Sequence, residues 1–173
     1  MKKLVLLFLG SILLTSCGSD KKKKATETPI VEQVVKDNYS IVFEAIYEKD
    51  DELSMIFKKD GFWDYDHPTT FKVIGQPTIQ KLIFDMPKEL SIENAQIDLS
   101  SNKEQKTITL KGIYVNNNGK EVVNGANMGF VKYFNTGTGL TWDAKNLRYN
   151  LIFGGEYPPR IVGNDVLESM LVK

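Results

Sequence analysis

From residue 92 to residue 153 the sequence alternates between apolar and polar residues in stretches separated by turn residues. The alternation is clearest in 107–115, where Ile108 and Leu110 lie on one face of an extended chain. Asn116-Asn117-Asn118-Gly119 follows directly, and asparagine and glycine tolerate the positive φ angles of a tight hairpin. The pattern predicts an antiparallel sheet with strands at 92–99, 107–115, 121–134 (bulged at Gly125 or Gly129) and 140–153, and a turn at 135–139.

The sequence before residue 92 has a longer period, which indicates helices. Thr28 and Pro29 provide a hydroxyl cap followed by proline at the first helical position. Apolar residues then recur every three or four positions as far as Tyr47, which predicts a long first helix. The remaining expected elements are a second helix over 51–57, a short aromatic strand Phe62–His67, and a third helix from Gly75 to just before Pro87.

Residues 154–173 are expected to form a C-terminal tail. Asn164 is a favourable helix N-cap, and apolar residues follow it at helical spacing from Val166 to Leu171. The tail either packs on the domain or serves as a docking segment.

The composition excludes several classes of protein. The 173 residues include 22 basic and 22 acidic side chains, so the chain lacks the basic excess of a nucleic-acid-binding protein. One cysteine excludes a disulfide scaffold and a cysteine-based metal cluster, and one histidine excludes a site built from several histidines. We therefore expect one folded domain with no metal, no cofactor and no nucleic-acid partner.

The N-terminus has the features of an export signal. Residues 1–16 contain no acid, and Lys2-Lys3 precedes the apolar run 4–14, which is too short to span a membrane comfortably. Leu14-Thr15-Ser16-Cys17 resembles the bacterial lipobox, in which signal peptidase II cleaves before a cysteine that carries a diacylglyceride. The resemblance implies a lipoprotein signal peptide over 1–16 and membrane lipid as the partner of an acylated Cys17. The alternative is an ordinary cleaved signal that leaves Cys17 free.

Residues 17–28 are expected to form a disordered basic tether that begins at the lipidated cysteine. Its four consecutive lysines, Lys21–Lys24, either contact anionic lipid head groups or only keep the tether solvated. Gly18 is not the acidic residue that often retains lipoproteins in the inner membrane, so an outer-membrane location in the cell envelope is favoured. Residues 1–24 hold six of the 22 basic residues and one of the 22 acidic ones, which leaves a formal charge of −5 on 25–173.

Four stretches of the mature chain follow one another in the order of a known superfamily. They are Tyr47 to Phe57, Gly61-Phe62-Trp63-Asp64-Tyr65-Asp66-His67-Pro68, Gly75 to Ile83, and Gly139-Leu140-Thr141 with Leu147-Arg148-Tyr149. Together they resemble the NTF2-like superfamily, which includes the SnoaL-like polyketide cyclases and the ketosteroid isomerases. The resemblance implies an α+β cone over 29–153, with N-terminal helices packed on a strongly curved antiparallel sheet around a pocket. The superfamily includes enzymes, binding modules and adaptors, so the fold does not select the function.

The resemblance points to His67 and Asp66 as candidate catalytic residues. Ketosteroid isomerases carry an aspartate base directly before a proline; here His67 occupies that place and Asp66 lies one position earlier. Histidine is the usual proton-transfer side chain near neutral pH. On a regular strand His67 shares a face with Trp63 and Tyr65, whereas Asp66 points the other way, so only one of the two candidates faces the pocket. The alternative is a histidine at the rim or on the surface.

A pocket for a flat or apolar ligand is the second candidate site. Its expected lining is Trp63, Tyr65, Tyr114, Met128, Trp142 and Tyr149. Aromatic stripes of this kind also form plain hydrophobic core. The sequence contains no P-loop, no zinc-protease motif and no nucleophile elbow.

These observations predict a lipid-anchored envelope protein whose NTF2-like pocket binds a small apolar or amphipathic ligand, or a protein partner. A non-catalytic role is favoured because no acid–base constellation is complete in the sequence. One alternative is a SnoaL-like enzyme that performs proton-transfer, cyclase or dehydratase chemistry with His67 or Asp66 as base. Another is an adaptor or immunity-type lipoprotein whose sheet or tail caps a protein partner, and an exposed apolar patch on 164–172 would favour it.

Overall fold

The computed structural model describes residues 37–88, 91–155 and 157–172, and their regular structure is almost entirely β. The predicted signal peptide, Cys17 and the tether lie outside the described residues. The strands are β1 Tyr39–Tyr47, β2 Asp51–Lys59, β3 Phe62–Trp63, β4 Thr69–Val73, β5 Gln76–Asp85, β6 Asn94–Asp98, β7 Thr107–Asn117, β8 Lys120–Asn124, β9 Phe134–Thr136, β10 Leu140–Asp143, β11 Arg148–Leu151 and β12 Arg160–Gly163. A 3₁₀ helix, Gly129–Lys132, precedes β9, and one α-helix, α1 Asp165–Leu171, follows β12.

The strands form two antiparallel sheets. The first sheet has the order β10-β11-β7-β1-β5, with β8 pairing beside β7. The second has the order β3-β2-β6-β12-β9, with β4 pairing beside β2. Because β12 lies between β6 and β9, the segment after residue 153 is part of the folded domain and not a separate tail.

One hydrophobic core is shared by both sheets. Alternate residues of β1, including Ile41 and Phe43, are buried in it, and so are Leu53 and Met55 of β2. Phe84 of β5 joins the two sheets, since its ring lies 5.4 Å from that of Phe43 and 4.8 Å from that of Phe71 in β4. Each fully buried side chain of this size contributes about 1.5–3 kcal/mol of transfer free energy.

The three helices predicted for the first half of the chain are wrong in the described residues. Residues 39–47 of the first form β1, the second lies in β2, and the third lies in β5. These segments are rich in β-branched and aromatic residues, and their apolar residues fit the period of a helix as well as that of a strand. Strand pairing decides in favour of the strand, because β1 lies between β5 and β7 and is hydrogen-bonded to both. The curled antiparallel sheet is confirmed, but its second layer is another sheet and not a layer of helices.

The second half of the chain follows the prediction more closely. Strands β6 and β7 and the hairpin after β7 are confirmed, with Asn118 at φ 51° and Gly119 at φ 76°. The predicted strand 121–134 is wrong beyond Asn124. The chain leaves the sheet at Gly125, where a Cβ atom would collide with the backbone oxygen of Ile113, and then enters the 3₁₀ helix.

The predicted strand 140–153 is two strands, since the turn 144–147 separates β10 from β11. Leu147 adopts a left-handed conformation with φ 52°, which ends the turn. The two strands pair with each other, so what was predicted as one strand forms a hairpin at the edge of the first sheet.

The C-terminal helix is confirmed. The side chain of Asn164 accepts hydrogen bonds from the backbone N–H groups of Val166 and Leu167, as an N-cap does. Helix α1 packs against β6 and β12 of the second sheet and β8 of the first, and its Leu167 is fully buried in the shared core. Nowhere in 37–88, 91–155 or 157–172 is there a helix with the length and apolar character needed to cross a membrane.

Candidate functional site

The β10–β11 hairpin holds two of the predicted ligand-pocket residues side by side. Trp142 and Tyr149 are direct cross-strand partners, and their ring centroids lie 5.0 Å apart in an edge-to-face arrangement. The turn is stabilised by Asp143, whose Oδ1 accepts hydrogen bonds from the backbone N–H groups of Lys145 and Asn146 at 3.1 Å. Hydrogen bonds from the side chain and backbone of Asn146 lower the pKa of Asp143, so this carboxylate stays charged and keeps the turn closed.

A groove lies between this hairpin and β9, where the end strands of the two sheets are joined by the turn 137–139. Its volume is about 460 Å³. We call it the aromatic groove, and its lining is Val131, Phe134, Asn135, Thr136, Leu140, Trp142 and Tyr149.

The aromatic groove has an apolar floor and an exposed aromatic wall. Phe134, Leu140 and Tyr149 are nearly buried, whereas Trp142 is 40% exposed and Val131 is also exposed. Phe130 supports Tyr149 from the core side at a centroid distance of 6.5 Å. The contact with the buried tyrosine holds the tryptophan in place, so that the indole presents a flat apolar surface to solvent.

Polar groups border the same groove. Asn135 and Thr136 of β9 are exposed and line the groove, and Tyr149 lines it as well. Burial raises the pKa of Tyr149, so its hydroxyl keeps the proton at neutral pH. Within the described residues this hydroxyl makes no hydrogen bond, although Tyr149 is only 5% exposed. Tyr149 lines the groove, so its hydroxyl is a candidate to bond a bound molecule or water there.

The other predicted pocket residues lie elsewhere, so the prediction of one pocket with six lining residues is wrong. Trp63 and Tyr65 contact each other near β3 with ring centroids 6.5 Å apart. Tyr114 lies on the outer face of β7, where its hydroxyl donates to Glu44 at 3.0 Å. Met128 packs partly buried against the core at the start of the 3₁₀ helix.

The two candidate catalytic residues lie in an exposed loop. Strand β3 ends at Trp63, so the predicted alternation along Phe62–His67 is wrong and places neither side chain in a pocket interior. The side chain of His67 is 82% exposed, and Asp66 is exposed too. The partner of His67 is Asp64, whose Oδ1 lies 2.8 Å from the imidazole Nδ1.

The His67–Asp64 pair borders a small cavity of about 180 Å³, whose lining includes Phe57, Lys59 and Pro87. The hydrogen bond and charge of Asp64 raise the pKa of His67. The pair resembles a base and its orienting acid, but no described element covers it from water. General acid–base catalysis is helped by a site that excludes solvent, and this one is open.

Asp51 is a nearly buried carboxylate that the sequence did not single out. Its Oδ1 accepts from the backbone N–H groups of Glu52, Ser101 and Asn102, and its Oδ2 accepts from the Ser100 hydroxyl at 2.6 Å. These contacts tie the start of β2 to the loop after β6. A cavity of about 380 Å³ lies beside Asp51, but because protein donors already occupy the carboxylate, its role is structural.

No cluster of metal-ligating side chains occurs in the part of the chain that the structure describes. Comparison of the sequence and structure with protein-family models, curated proteins and solved structures gave no significant match.

Proposed function

We propose that this chain is a lipid-anchored envelope protein whose domain binds a small amphipathic ligand in the aromatic groove. The observation that carries the proposal is the exposed Trp142, held against Tyr149 over a groove of about 460 Å³. The lining indicates the class of ligand. Such a ligand has a flat apolar face that contacts Trp142, and hydroxyl or carbonyl groups along one edge that hydrogen-bond to Asn135, Thr136 and the Tyr149 hydroxyl.

Binding is favoured over catalysis because the groove contains no titratable pair. Its polar groups are an amide, an aliphatic hydroxyl and a phenol that keeps its proton. Such groups orient a ligand by hydrogen bonds but do not exchange protons near neutral pH. The pair that could do so, His67 and Asp64, borders a different cavity.

The membrane anchor in this proposal is supported by the sequence. Leu14-Thr15-Ser16-Cys17 follows the basic start and the short apolar run of an export signal. A lipid-anchored binding domain would hold its ligand close to the membrane, and the predicted outer-membrane location places it in the cell envelope. Cys17→Ser is expected to move the chain out of the membrane fraction and to abolish labelling by a radioactive fatty acid.

Native mass spectrometry of the full chain, purified from its own membranes in mild detergent, tests the ligand proposal. The chain has two tryptophans, so Trp63→Ala is a matched control for Trp142→Ala. We expect a small molecule to co-purify with the wild-type chain and with Trp63→Ala, and to be lost from Trp142→Ala. A wild-type chain without a bound molecule, or equal retention by the two variants, contradicts the proposal.

The NTF2-like assignment stays a prediction, and in the described residues only the curled antiparallel sheet supports it. The SnoaL-like enzyme is supported by one observation, the contact of His67 with Asp64 beside a cavity. If that pair is catalytic, Asp64→Asn must impair turnover of a substrate, whereas Asp66→Asn must not, because Asp66 makes no hydrogen bond to His67 in the described structure.

The adaptor alternative is supported by α1. Val166 and Met170, four residues apart on the helix, are both exposed, as is Val172 just after it. Residues four apart share one helix face, so these side chains form a small apolar patch. Substitution of both Val166 and Met170 by lysine would prevent a protein partner from docking there and would leave ligand retention in the aromatic groove unchanged.

A further inference from the structure

Strand β5 is the exposed edge of the first sheet. It extends over Gln76–Asp85, pairs with β1 on one side, and has no strand of the described residues on the other. Two large apolar side chains, Ile79 and Ile83, are 54% and 59% exposed on its outer face. A long edge strand with exposed isoleucines is a template for pairing with another strand.

The hydrogen bonds of β1 show which backbone groups of β5 point to the open edge. The backbone N–H of Met86 donates to the carbonyl of Tyr39 at 3.0 Å, so these two residues form a hydrogen-bonded pair. Hydrogen-bonded and non-hydrogen-bonded pairs alternate along an antiparallel ladder, and the register has no shift from Ser40 to Ala45. The N–H and C=O groups of Lys81, Ile83 and Asp85 therefore point away from β1.

We propose that β5 pairs with β5 of a second copy of this chain, antiparallel, with Ile83 opposite the same residue of the other copy. In this register Lys81 of each copy lies opposite Asp85 of the other. The three residues whose backbone groups face the edge meet the same three residues, so donors meet acceptors on both sides. The arrangement is a closed two-fold dimer in which the two first sheets become one.

The charges of β5 select this register among its neighbours. Centring the pair on Lys81 or on Asp85 places like charges directly opposite, which is destabilising. Centring it on residue 82 or 84 places a charge opposite Ile83. Only the register centred on Ile83 combines an apolar pair with two opposite-charge pairs.

The prolines and the small contact area weaken this dimer, whereas a shared membrane surface favours it. Pro77 and Pro87 lack the N–H donor, so the ladder is confined to the residues between them. The contact is small compared with stable interfaces, which bury roughly 1,200–2,000 Å² in total. Anchoring on one membrane surface raises the local concentration of the copies and favours pairing. The register itself does not depend on the anchor or on the ligand groove.

A disulfide test reads the register directly in the full chain. The only natural cysteine is Cys17, so Ile83→Cys adds one reporter, and the parent chain shows any cross-link through Cys17. Opposite residues of a hydrogen-bonded antiparallel pair have Cα atoms about 5.5 Å apart, which is within disulfide range. Oxidation of membranes with copper phenanthroline is expected to give a reducible dimer of Ile83→Cys.

Ile79→Cys is the matched control, because Ile79 is similarly exposed on the same face. In the proposed register it lies opposite Pro87 of the other copy. Its own counterpart is eight residues further along the strand, about 27 Å away at about 3.4 Å per residue. Cross-linking of Ile79→Cys equal to that of Ile83→Cys overturns the proposal, and so does an Ile83→Cys chain whose new thiol stays reduced and reacts with maleimide.

Charge exchange gives a second readout in the Ile83→Cys chain. Lys81→Asp or Asp85→Lys alone places like charges opposite and is expected to lower the yield of dimer several-fold. The double substitution restores opposite charges and is expected to restore the yield. A yield that does not respond to the single changes, or is not rescued by the double change, is evidence against this register, whatever the result for the aromatic groove.

Discussion

The outer faces of the two sheets differ in what covers them. On the second sheet, the outward residues of β6, Asn94, Gln96 and Asp98, are buried. Asn94 contacts Glu168 of α1, and Asp98 pairs with Arg160 of β12. On the first sheet, the outer face is open, with Lys81 and Ile83 exposed to solvent. We call these the closed face and the open face.

The closed face is held by contacts that are made within the chain. The Lys58 ammonium lies 2.6 Å from Glu168 of α1, and Asn94 donates to both Glu168 and the carbonyl of Gly163. The open face also has polar contacts, such as the hydrogen bond from Tyr114 to Glu44, but the outward residues of its edge strand β5, including Lys81 and Ile83, are exposed. The difference indicates that the closed face serves stability, while the open face and the groove at its edge remain available for other molecules.

The largest expected effect is on the closed face, at Leu167. Because this side chain is fully buried where α1 meets the core, Leu167→Ala is expected to lower the free energy of unfolding by about 3 kcal/mol. The neighbouring Val166 is exposed, so Val166→Ala is the control and should change stability by less than about 0.5 kcal/mol. Equal losses in urea unfolding would show that α1 does not close this face.

Gly163 tests how closely α1 approaches the sheet. A Cβ atom there would collide with the Asn94 side chain and with Leu167, so Gly163→Ala is expected to cost about 2 kcal/mol. Gly155 has open space around its Cα atom, and Gly155→Ala should be neutral within about 0.5 kcal/mol. Thermal unfolding of the two variants measures the difference, and a neutral Gly163→Ala contradicts the described packing.

Glu168 makes the closed face sensitive to acid. Hydrogen bonds from Lys58 and Asn94 lower its pKa below the ordinary value of 4.5. A lowered pKa contributes stability that is complete above pH 4.5 and is lost as the pH falls through the value in the folded state. Glu168→Gln should therefore be less stable than the wild-type chain at pH 7, and the gap should close in acid.

Urea unfolding of both chains between pH 7 and pH 3 measures this gap. Glu104→Gln removes an exposed carboxylate of a loop and is the control. A gap for Glu168→Gln that stays constant over this range contradicts the pairing with Lys58.

The smallest expected effect is on the open face. Tyr114→Phe removes one partly exposed hydrogen bond to Glu44, and we expect a loss of less than about 1 kcal/mol. A loss as large as that of Leu167→Ala would mean that the open face also carries the fold, and would remove the distinction between the two faces.

The sequence correctly predicted the turns and helix caps that depend only on neighbouring residues. The hairpin at Asn118-Gly119 and the cap at Asn164 depend on residues within a few positions, and both are confirmed. Strand β1 was predicted as a helix because its partners β5 and β7 lie far along the chain. Pairing over such separations depends on tertiary packing, which a single segment does not encode.

The candidate site shows the same limit. Trp142 and Tyr149 were predicted as pocket residues and do lie together, because they are directly opposite each other in the β10–β11 hairpin and so share a face. Phe134, Asn135 and Thr136 were missed as site residues. They belong to the other sheet, and nothing in their local sequence indicates that the two sheet edges meet at the groove.

The central claim is that the aromatic groove binds an amphipathic ligand against Trp142. In a Trp63→Phe chain, Trp142 is the only tryptophan and reports on the groove by its fluorescence. Titration with a solvent extract of the envelope is expected to give a saturable blue shift, because ligand replaces water on the exposed indole. The reverse chain, Trp142→Phe, should show no shift. An emission spectrum of the Trp142 chain that is unchanged across the titration, or an equal shift in both chains, would contradict the claim.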